Sequence, residues 1–200
     1  MSQKRWFITD IPDLSGKMVC ITGANSGLGF EAAHNLVRAG AHVIMACRNV
    51  AKAEAAAQSL RVGASVGSGS VEVRQLDLAS LASVRRFSEQ LLADEIELDG
   101  LMNNAGLMGL DQSRTEDGFE TQIGVNHLGH FALTGLLLPS LMKRPNSRVV
   151  NVSSMGHIPG KIHLDDLMCD RRRYSRWGAY FQSKLANILF TNELERRLRE

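Results

Sequence analysis

The chain has 200 residues, 44% of them hydrophobic, and a formal net charge of +2 at pH 7. This length suits one domain with a substantial core, and the balanced charge argues against a role in binding nucleic acid. No apolar run reaches the roughly 20 residues that span a bilayer, and the three widely separated cysteines fit a reducing compartment. We therefore expect a cytoplasmic protein whose partners include neither a membrane nor a nucleic acid.

Strand and helix patterns alternate after an irregular lead-in over residues 1–16, so we assign residues 17–200 to one domain. Apolar runs predict five strands, at residues 18–21, 41–47, 71–76, 98–103 and 148–152. Helical spacing predicts helices at residues 28–39, at 51–60, after Ser80, twice within 115–142, and from about 178 to 200. The second pattern within 115–142 is expected to end near Pro139 or Lys143.

Two finer expectations concern the middle of the chain. The helix that Ser80 caps is predicted to bury Val84, Phe87, Leu91 and Leu92 on its inner face. The glycine- and serine-rich stretch over residues 63–70 is expected to form a flexible loop.

The alternating elements predict an α/β fold, a doubly wound parallel sheet with helices on both faces. In such sheets, ligands bind outside the carboxyl ends of the strands. The distinctive short motifs of this chain each follow a predicted strand: Gly23–Gly29, Arg48, Asp77-Leu78, Asn103–Gly106 and Ser153-Ser154. They should therefore meet along one edge of the sheet, where we expect the binding site.

The glycine-rich stretch at residues 22–29 joins the first strand to the first helix, with glycines at positions 23, 27 and 29. Glycine adopts backbone angles that other residues avoid, and it lets a ligand approach the backbone closely. The free N–H groups of a helix N-terminus suit a pyrophosphate. A tight turn also needs glycine for structural reasons alone, so it is the shared edge that favours a dinucleotide.

Arg48 stands at the end of the second predicted strand, with no carboxylate beside it. A guanidinium forms a charge-assisted fork with a 2′-phosphate, whereas an acidic residue at this place binds the ribose hydroxyl of NAD. Arg48, with the glycine turn upstream, therefore favours NADP(H) over NAD(H), although one arginine alone is also consistent with an ordinary surface residue.

Tyr180 and Lys184 lie four residues apart in a predicted helix, so their side chains share a face. A free tyrosine keeps its proton until about pH 10, and a nearby ammonium favours the ionised phenol. The pair can thus exchange a proton near neutrality, but such pairs are also common on exposed helices. Ser154 follows the fifth strand and offers a hydroxyl for a substrate oxygen, although a serine pair there is more often a turn.

Together these residues resemble the short-chain dehydrogenase/reductase family, in motif identity and in motif order. The motifs that carry the resemblance are Thr22-Gly23-x-x-x-Gly27-x-Gly29, Asn103-Asn104-Ala105-Gly106, Val125-Asn126, Val152-Ser153-Ser154 and Tyr180-x-x-x-Lys184. The resemblance covers nearly the whole chain and implies a Rossmann-type fold. It also implies an enzyme that moves a hydride between a nicotinamide and an alcohol or carbonyl.

The resemblance implies a catalytic tetrad of Asn126, Ser154, Tyr180 and Lys184, with Ser153 as the alternative serine. Tyr180 would act as the general acid and base, Lys184 would also hold the nicotinamide ribose, and Asn126 would position a water beside Lys184. No metal is expected, because His127 and His130 stand without an accompanying carboxylate or cysteine. The expected cofactor contacts are Gly23, Asn25, Ser26, Gly27, Leu28, Gly29, Arg48, Asp77, Leu78, Asn103, Ala105, Gly106, Tyr180 and Lys184.

Within the family, Ala46–Asn49, Val125–Phe131 and Tyr180–Leu194 look like the retinol dehydrogenase subgroup, which generally prefers NADP(H). The resemblance implies an apolar alcohol or carbonyl as substrate, contacted by the insert from His157 to Trp177. Membrane-bound members of the subgroup carry an apolar N-terminal anchor that this sequence does not show, so retinoid activity itself is not expected.

The chain stops inside the helix of Tyr180, whereas the family continues with a further strand, a substrate-covering lobe and a final strand. The resemblance therefore implies that the C-terminal part of the fold is missing, either because the chain is a portion of a longer protein or because a short product has lost its lid. The alternative function is a catalytically silent NADP(H)-binding module that regulates a partner. Family likeness also suggests a homodimer or homotetramer.

Overall fold

A computed structural model describes residues 7–63 and 69–199, and it contains a five-stranded parallel sheet. The strands are β1 (Met18–Thr22), β2 (His42–Cys47), β3 (Ser70–Gln75), β4 (Gly100–Asn103) and β5 (Arg148–Asn151). Their order across the sheet is β3-β2-β1-β4-β5, with β1 pairing in parallel with both β2 and β4. The order reverses at β1, so the crevice beside this strand is where such a sheet binds ligands.

Helices connect the strands, as parallel neighbours require. They are α1 (Gly27–Arg38), α2 (Val50–Gly63), α3 (Leu81–Ala93), α4 (Thr121–Ile123), α5 (Gly129–Met142) and α6 (Arg176–Leu198). A π-turn over Gly124–Leu128 joins α4 to α5, and short 3₁₀ turns occur at Ile8–Asp10, Met155–His157 and Leu164–Asp166. None of the helices in the described ranges has the length and apolar character needed to cross a membrane.

Both faces of the sheet are covered, because alternate residues of the central strands enter two separate cores. Cys20 and Ile44 pack with side chains of α3 and α5. Ile21 and Val43, one position along on the same strands, pack with side chains of α1 and α2. Strands buried on both sides read as continuous apolar runs, which is what the sequence shows. The predicted doubly wound α/β sheet is thus confirmed.

The region 115–142 departs from the prediction of two separate helices. Residues 115–120 are not helical, and Arg114 instead forms an isolated antiparallel bridge with Glu120. The carboxylate of Glu120 accepts hydrogen bonds from the N–H groups of Gln122 and Ile123, so it caps the helical stretch that begins at Thr121. From there the chain stays helical through the π-turn to Met142, and Pro139 lies inside α5 without ending it.

Leu92 is 37% exposed, so its predicted burial on α3 is wrong; Ser88 takes a buried place on that face, donating a hydrogen bond to the Val84 carbonyl. Of the predicted loop at residues 63–70, positions 64–68 lie outside the described residues.

Candidate active site

The turn between β1 and α1 is held in shape by its three glycines. Gly23 and Gly27 have φ angles of +65° and +55°, in the left-handed region that favours glycine. A Cβ at Gly23 would lie 3.0 Å from the Cα of Ala105, and a Cβ at Gly29 would lie 2.4 Å from Asn104 Nδ2. The glycines therefore let the β4 loop pack directly against the turn.

A cavity of about 530 Å³ opens in front of this turn, within the approximate range of 300–1,000 Å³ common for small-molecule sites. Nine of the residues predicted to contact a cofactor line it: Gly23, Asn25, Ser26, Leu28, Arg48, Asp77, Leu78, Ala105 and Gly106. All of them follow the carboxyl ends of strands, so the sheet edge assembles them as expected. The glycine cradle and the open cavity beside it fit a dinucleotide.

Five residues of the predicted cofactor set do not line this cavity. Gly27 and Gly29 shape the turn, and Tyr180 and Lys184 lie farther along the edge. Asn103 is only 2% exposed, and its Nδ2 donates to Thr134 Oγ1 at 2.9 Å and to Asn151 Oδ1 at 2.7 Å. The structure therefore places Asn103 as a clamp between β4, β5 and α5, beneath the cavity.

Three polar residues that line the cavity are absent from the predicted cofactor contacts: Asn49, Lys52 and Asn104. Asn49 lines it and caps α2, since its Oδ1 accepts the N–H of Lys52 at 2.9 Å. Lys52 also lines it and adds a second cation, besides Arg48, to the cavity wall. No sequence signal marked Lys52, because Arg48 lies before α2 and the four-residue spacing within a helix does not apply to the two residues.

Thr22, the last residue of β1, was also missed as a site residue. Its side chain is fully buried, and its Oγ1 accepts the N–H groups of Asn104 and Ala105, both at 2.9 Å. These two bonds fasten the loop after β4 to the glycine turn. A threonine before a glycine-rich turn looks like an ordinary strand residue, so only the fold reveals this contact.

Asn126, in the π-turn, joins the loop after β4 to α6. Its Oδ1 accepts the N–H of Leu107 at 2.7 Å, and its Nδ2 donates to the Leu107 carbonyl and to Ser183 Oγ, both at 2.9 Å. The residue is wholly buried, and its amide is fully engaged with the protein. Asn126 thus holds α6, which carries Tyr180, against the loop that lines the cavity.

Lys184 lies outside the cavity lining but contacts two residues that belong to it, Gly106 and Val152. Its Nζ donates to the Val152 carbonyl at 3.2 Å and lies 5.7 Å from the centre of the Tyr180 ring. A Cβ on the cavity residue Gly106 would lie 3.4 Å from this Nζ and 3.3 Å from Asn126 Oδ1. Burial lowers the pKa of the Lys184 ammonium. The structure therefore brings Tyr180, Lys184 and Asn126 together beside the cavity.

The two serines after β5 have different contacts. Ser153 Oγ donates to the Lys184 carbonyl at 2.8 Å, which ties it to the backbone of α6. Ser154 Oγ accepts the N–H of Gly156 at 3.1 Å and keeps its own proton for another partner. A Cβ at Gly156 would lie 3.2 Å from Tyr180 Cε1, so the Ser154 turn packs against the tyrosine.

His127 and His130 are engaged in hydrogen bonds. His127 Nδ1 lies 3.2 Å from Asn187 Oδ1, and His130 Nε2 lies 2.8 Å from Thr22 Oγ1. Across the part of the chain that the structure describes, no group of three or more His, Cys, Asp or Glu residues could hold a metal ion.

Known proteins share both the sequence and the fold of this chain. The short chain dehydrogenase family model matches residues 17–165. Human retinol dehydrogenase 12 is 54% identical over 185 residues, which cover 92% of this chain and 58% of that protein. The chain thus spans little more than half the length of the curated relatives it matches.

Two solved structures extend the comparison. An uncharacterised protein from Mycobacterium paratuberculosis has a TM-score of 0.87 at 55% identity, covering 97% of this chain and 67% of that one. RhlG of Pseudomonas aeruginosa, solved as an active-site complex with NADP, has a TM-score of 0.72 at 26% identity, covering 93% and 68%. On the family match and these relatives, the chain belongs to the short-chain dehydrogenase family.

Proposed function

We propose that the protein containing this chain is an NADP(H)-dependent oxidoreductase acting on an alcohol or carbonyl of an apolar small molecule. One observation carries the proposal: Gly106 lines the cavity of the glycine turn and packs against Asn126 Oδ1 and Lys184 Nζ. A cofactor bound in that cavity would therefore lie next to Tyr180 and Lys184, the residues that can transfer a proton. The family match and the retinol dehydrogenases among the relatives support the reaction class.

The basic end of the cavity supports a preference for NADP(H). The N-terminus of α1 would hold the pyrophosphate, because its N–H groups and partial positive charge favour an anion. Arg48 and Lys52 would hold the 2′-phosphate, since both cations line the same cavity. RhlG, a relative of similar fold, was solved with NADP, which supports a nicotinamide cofactor of this kind.

The nicotinamide, when bound, supplies or accepts the hydride. The protein's own residues then manage the substrate oxygen and its proton. Tyr180 would donate a proton to that oxygen in the reducing direction and remove it in the oxidising direction, while Ser154 donates a second hydrogen bond. The buried ammonium of Lys184 would stabilise negative charge on the Tyr180 oxygen. Asn126 keeps the helix of Tyr180 in place through Ser183.

The surface beside Tyr180 supports an apolar substrate. The Trp177 ring lies edge-on to the Tyr180 ring, with their centres 6.3 Å apart, and it is 52% exposed. Met108 and Met155 are also exposed, and the glycines that follow them, Gly109 and Gly156, lie against the rings of Trp177 and Tyr180 respectively. Exposed apolar side chains grouped around a cavity mark a binding surface more often than chance exposure does.

The test is a Tyr180→Phe variant of the full-length protein, assayed against a panel of alcohols and carbonyls by nicotinamide absorbance. We expect turnover to be lost while NADPH still binds with wild-type affinity, because the substitution removes only the hydroxyl. Retained turnover would reject Tyr180 as the proton donor. A wild-type protein that binds NADPH but turns over no compound would instead favour the silent regulatory module.

A further inference from the structure

Gln122, a buried glutamine in α4, uses its whole side-chain amide to bridge two segments beside Tyr180. It is 0% exposed. Its Oε1 accepts the N–H of Gly109 at 2.9 Å, in the loop after β4. Its Nε2 donates to the Arg176 carbonyl at 2.8 Å and to the Tyr174 hydroxyl at 3.0 Å, at the start of α6. No motif assigned to cofactor or catalysis includes this residue.

Gln122 repeats, four residues earlier, the arrangement that Asn126 makes. Both are buried amides that accept an N–H from the loop after β4 and donate to α6 or to the residues leading into it. The bond partners of Asn126 are Leu107, which lines the cavity, and Ser183 of α6. Those of Gln122 lie beyond Tyr180, toward the exposed apolar surface. The two amides therefore fasten the same loop to the same helix at two points.

The contacts of Gln122 determine the setting of Trp177. Its partners are Gly109 and Arg176, and the latter directly precedes Trp177. A Cβ at Gly109 would lie 3.7 Å from Cη2 and Cζ2 of the Trp177 ring, so the indole lies over this glycine. The ring of Trp177 in turn lies edge-on to Tyr180. A shift of Gly109 relative to Arg176 would therefore move the indole relative to the Tyr180 ring.

We propose that Gln122 is a positioning residue, which sets Trp177 against Tyr180 by locking the loop after β4 to the first turn of α6. This inference rests on the proposed oxidoreductase function only in its kinetic part. The structural part, the dependence of the Trp177 environment on Gln122, can be measured without substrate or cofactor. Glu120 supports the same lock, because its carboxylate accepts from Tyr174 at 3.1 Å while it caps α4.

The first experiment reads Trp177 directly. Residues 1–200 hold two tryptophans, Trp6 and Trp177. In the full-length protein, Trp6 and every further tryptophan are replaced by Phe, which leaves Trp177 as the single emitter. In that background, Gln122→Met keeps the side-chain length and removes the hydrogen bonds. We expect acrylamide to quench the Trp177 fluorescence more strongly in Gln122→Met, and the emission maximum to shift, because the indole no longer packs against Gly109.

Gln182 provides the matched control. It is a buried glutamine of α6 that accepts from the His163 N–H at 3.1 Å and donates to the Leu167 carbonyl at 3.0 Å, so it holds the outer part of the insert. Gln182→Met should destabilise the fold by a similar amount, read as the midpoint of urea unfolding, while Trp177 quenching stays at its wild-type value. Equal quenching changes in both variants, or none in either, would overturn the proposal.

The second experiment is kinetic and uses the full-length protein. Displacement of a reacting group by about 1 Å costs roughly 100-fold in rate, so we expect Gln122→Met to lower kcat about 10- to 100-fold while the NADPH dissociation constant is unchanged. Gln182→Met should lower kcat much less. If wild type itself has no turnover, the proposed function fails but the quenching result still decides the role of Gln122. If quenching changes and kcat does not, the positioning role is rejected.

Discussion

His130 hydrogen-bonds the main-chain carbonyl of Asn126, with 3.0 Å between Nδ1 and the oxygen. A carbonyl only accepts, so Nδ1 carries the proton, and Nε2 accepts from the Thr22 hydroxyl at 2.8 Å. One buried imidazole therefore links the end of β1, where the glycine turn begins, to the π-turn that holds Asn126. Both ends of this link contact the loop after β4.

The link requires a neutral His130, which predicts a pH dependence of folding. Burial lowers the pKa of His130 to about 4, whereas a histidine in the unfolded chain has a pKa near 6.5. Between these values the unfolded state binds more protons, so stability is full above about pH 6.5 and falls as the pH drops toward 4. The loss attributable to this residue is roughly 3 kcal/mol.

Urea unfolding of wild type and His130→Gln from pH 4.5 to 8 checks this prediction. The difference between their free energies of unfolding at pH 8, where His130 is neutral in both the folded and the unfolded state, is the reference value. As the pH falls, the free energy of unfolding should drop more steeply in wild type than in the variant. Parallel curves would show that His130 is not the residue responsible.

Removal of the cations at the end of the cavity should weaken NADPH more than NADH. A hydrogen bond to a charged group contributes about 1.5–3 kcal/mol, so Arg48→Ala should raise the NADPH dissociation constant roughly 10- to 100-fold. Lys52→Ala should act in the same direction. The dissociation constants of both nucleotides, measured calorimetrically on the full-length protein, give the answer.

Lys143→Ala is the control for these variants, because Lys143 follows α5 and lies outside the cavity lining. It should leave both dissociation constants unchanged. An equal loss of NADH and NADPH affinity in Arg48→Ala would contradict the assignment of Arg48 to the 2′-phosphate.

Two helical glycines should respond in opposite ways to substitution by alanine. A Cβ at Gly29 would lie 2.4 Å from Asn104 Nδ2 and 2.7 Å from the Gly23 carbonyl oxygen, so Gly29→Ala should cost about 1–3 kcal/mol of stability. A Cβ at Gly135 meets nothing within 4 Å, so Gly135→Ala should add up to about 1 kcal/mol. Unfolding free energies of both variants test this, and a neutral Gly29→Ala would refute the close packing.

The fold was predictable because its signals are local. Apolar runs mark the strands, and the glycine turn marks the switch from β1 to α1. The π-turn was not predictable, because no local pattern marks it. Gly129, the residue after it, packs against a distant segment, where a Cβ would lie 2.6 Å from the carbonyl oxygen of Leu78. No sequence pattern within residues 115–142 indicates this close contact between Gly129 and Leu78.

The residues of the site also differ in how far the sequence predicts them. Residues such as Arg48 and Asp77 reach the cavity because every parallel strand ends at one edge, which the sequence order already implies. Asn103 belongs to the same motif as Gly106, yet its side chain turns beneath the sheet edge toward Thr134. Gln122 gave no signal at all, because a buried bridging amide has no characteristic spacing.

A crystal structure of the full-length protein with NADPH bound is the most direct test of this site. We expect the pyrophosphate to lie on the turn from Gly23 to Gly29 and the nicotinamide to lie at the Gly106 end, facing the hydroxyl of Tyr180. A nicotinamide at the Arg48 end of the cavity, or a Tyr180 hydroxyl turned away from the ring, would contradict it.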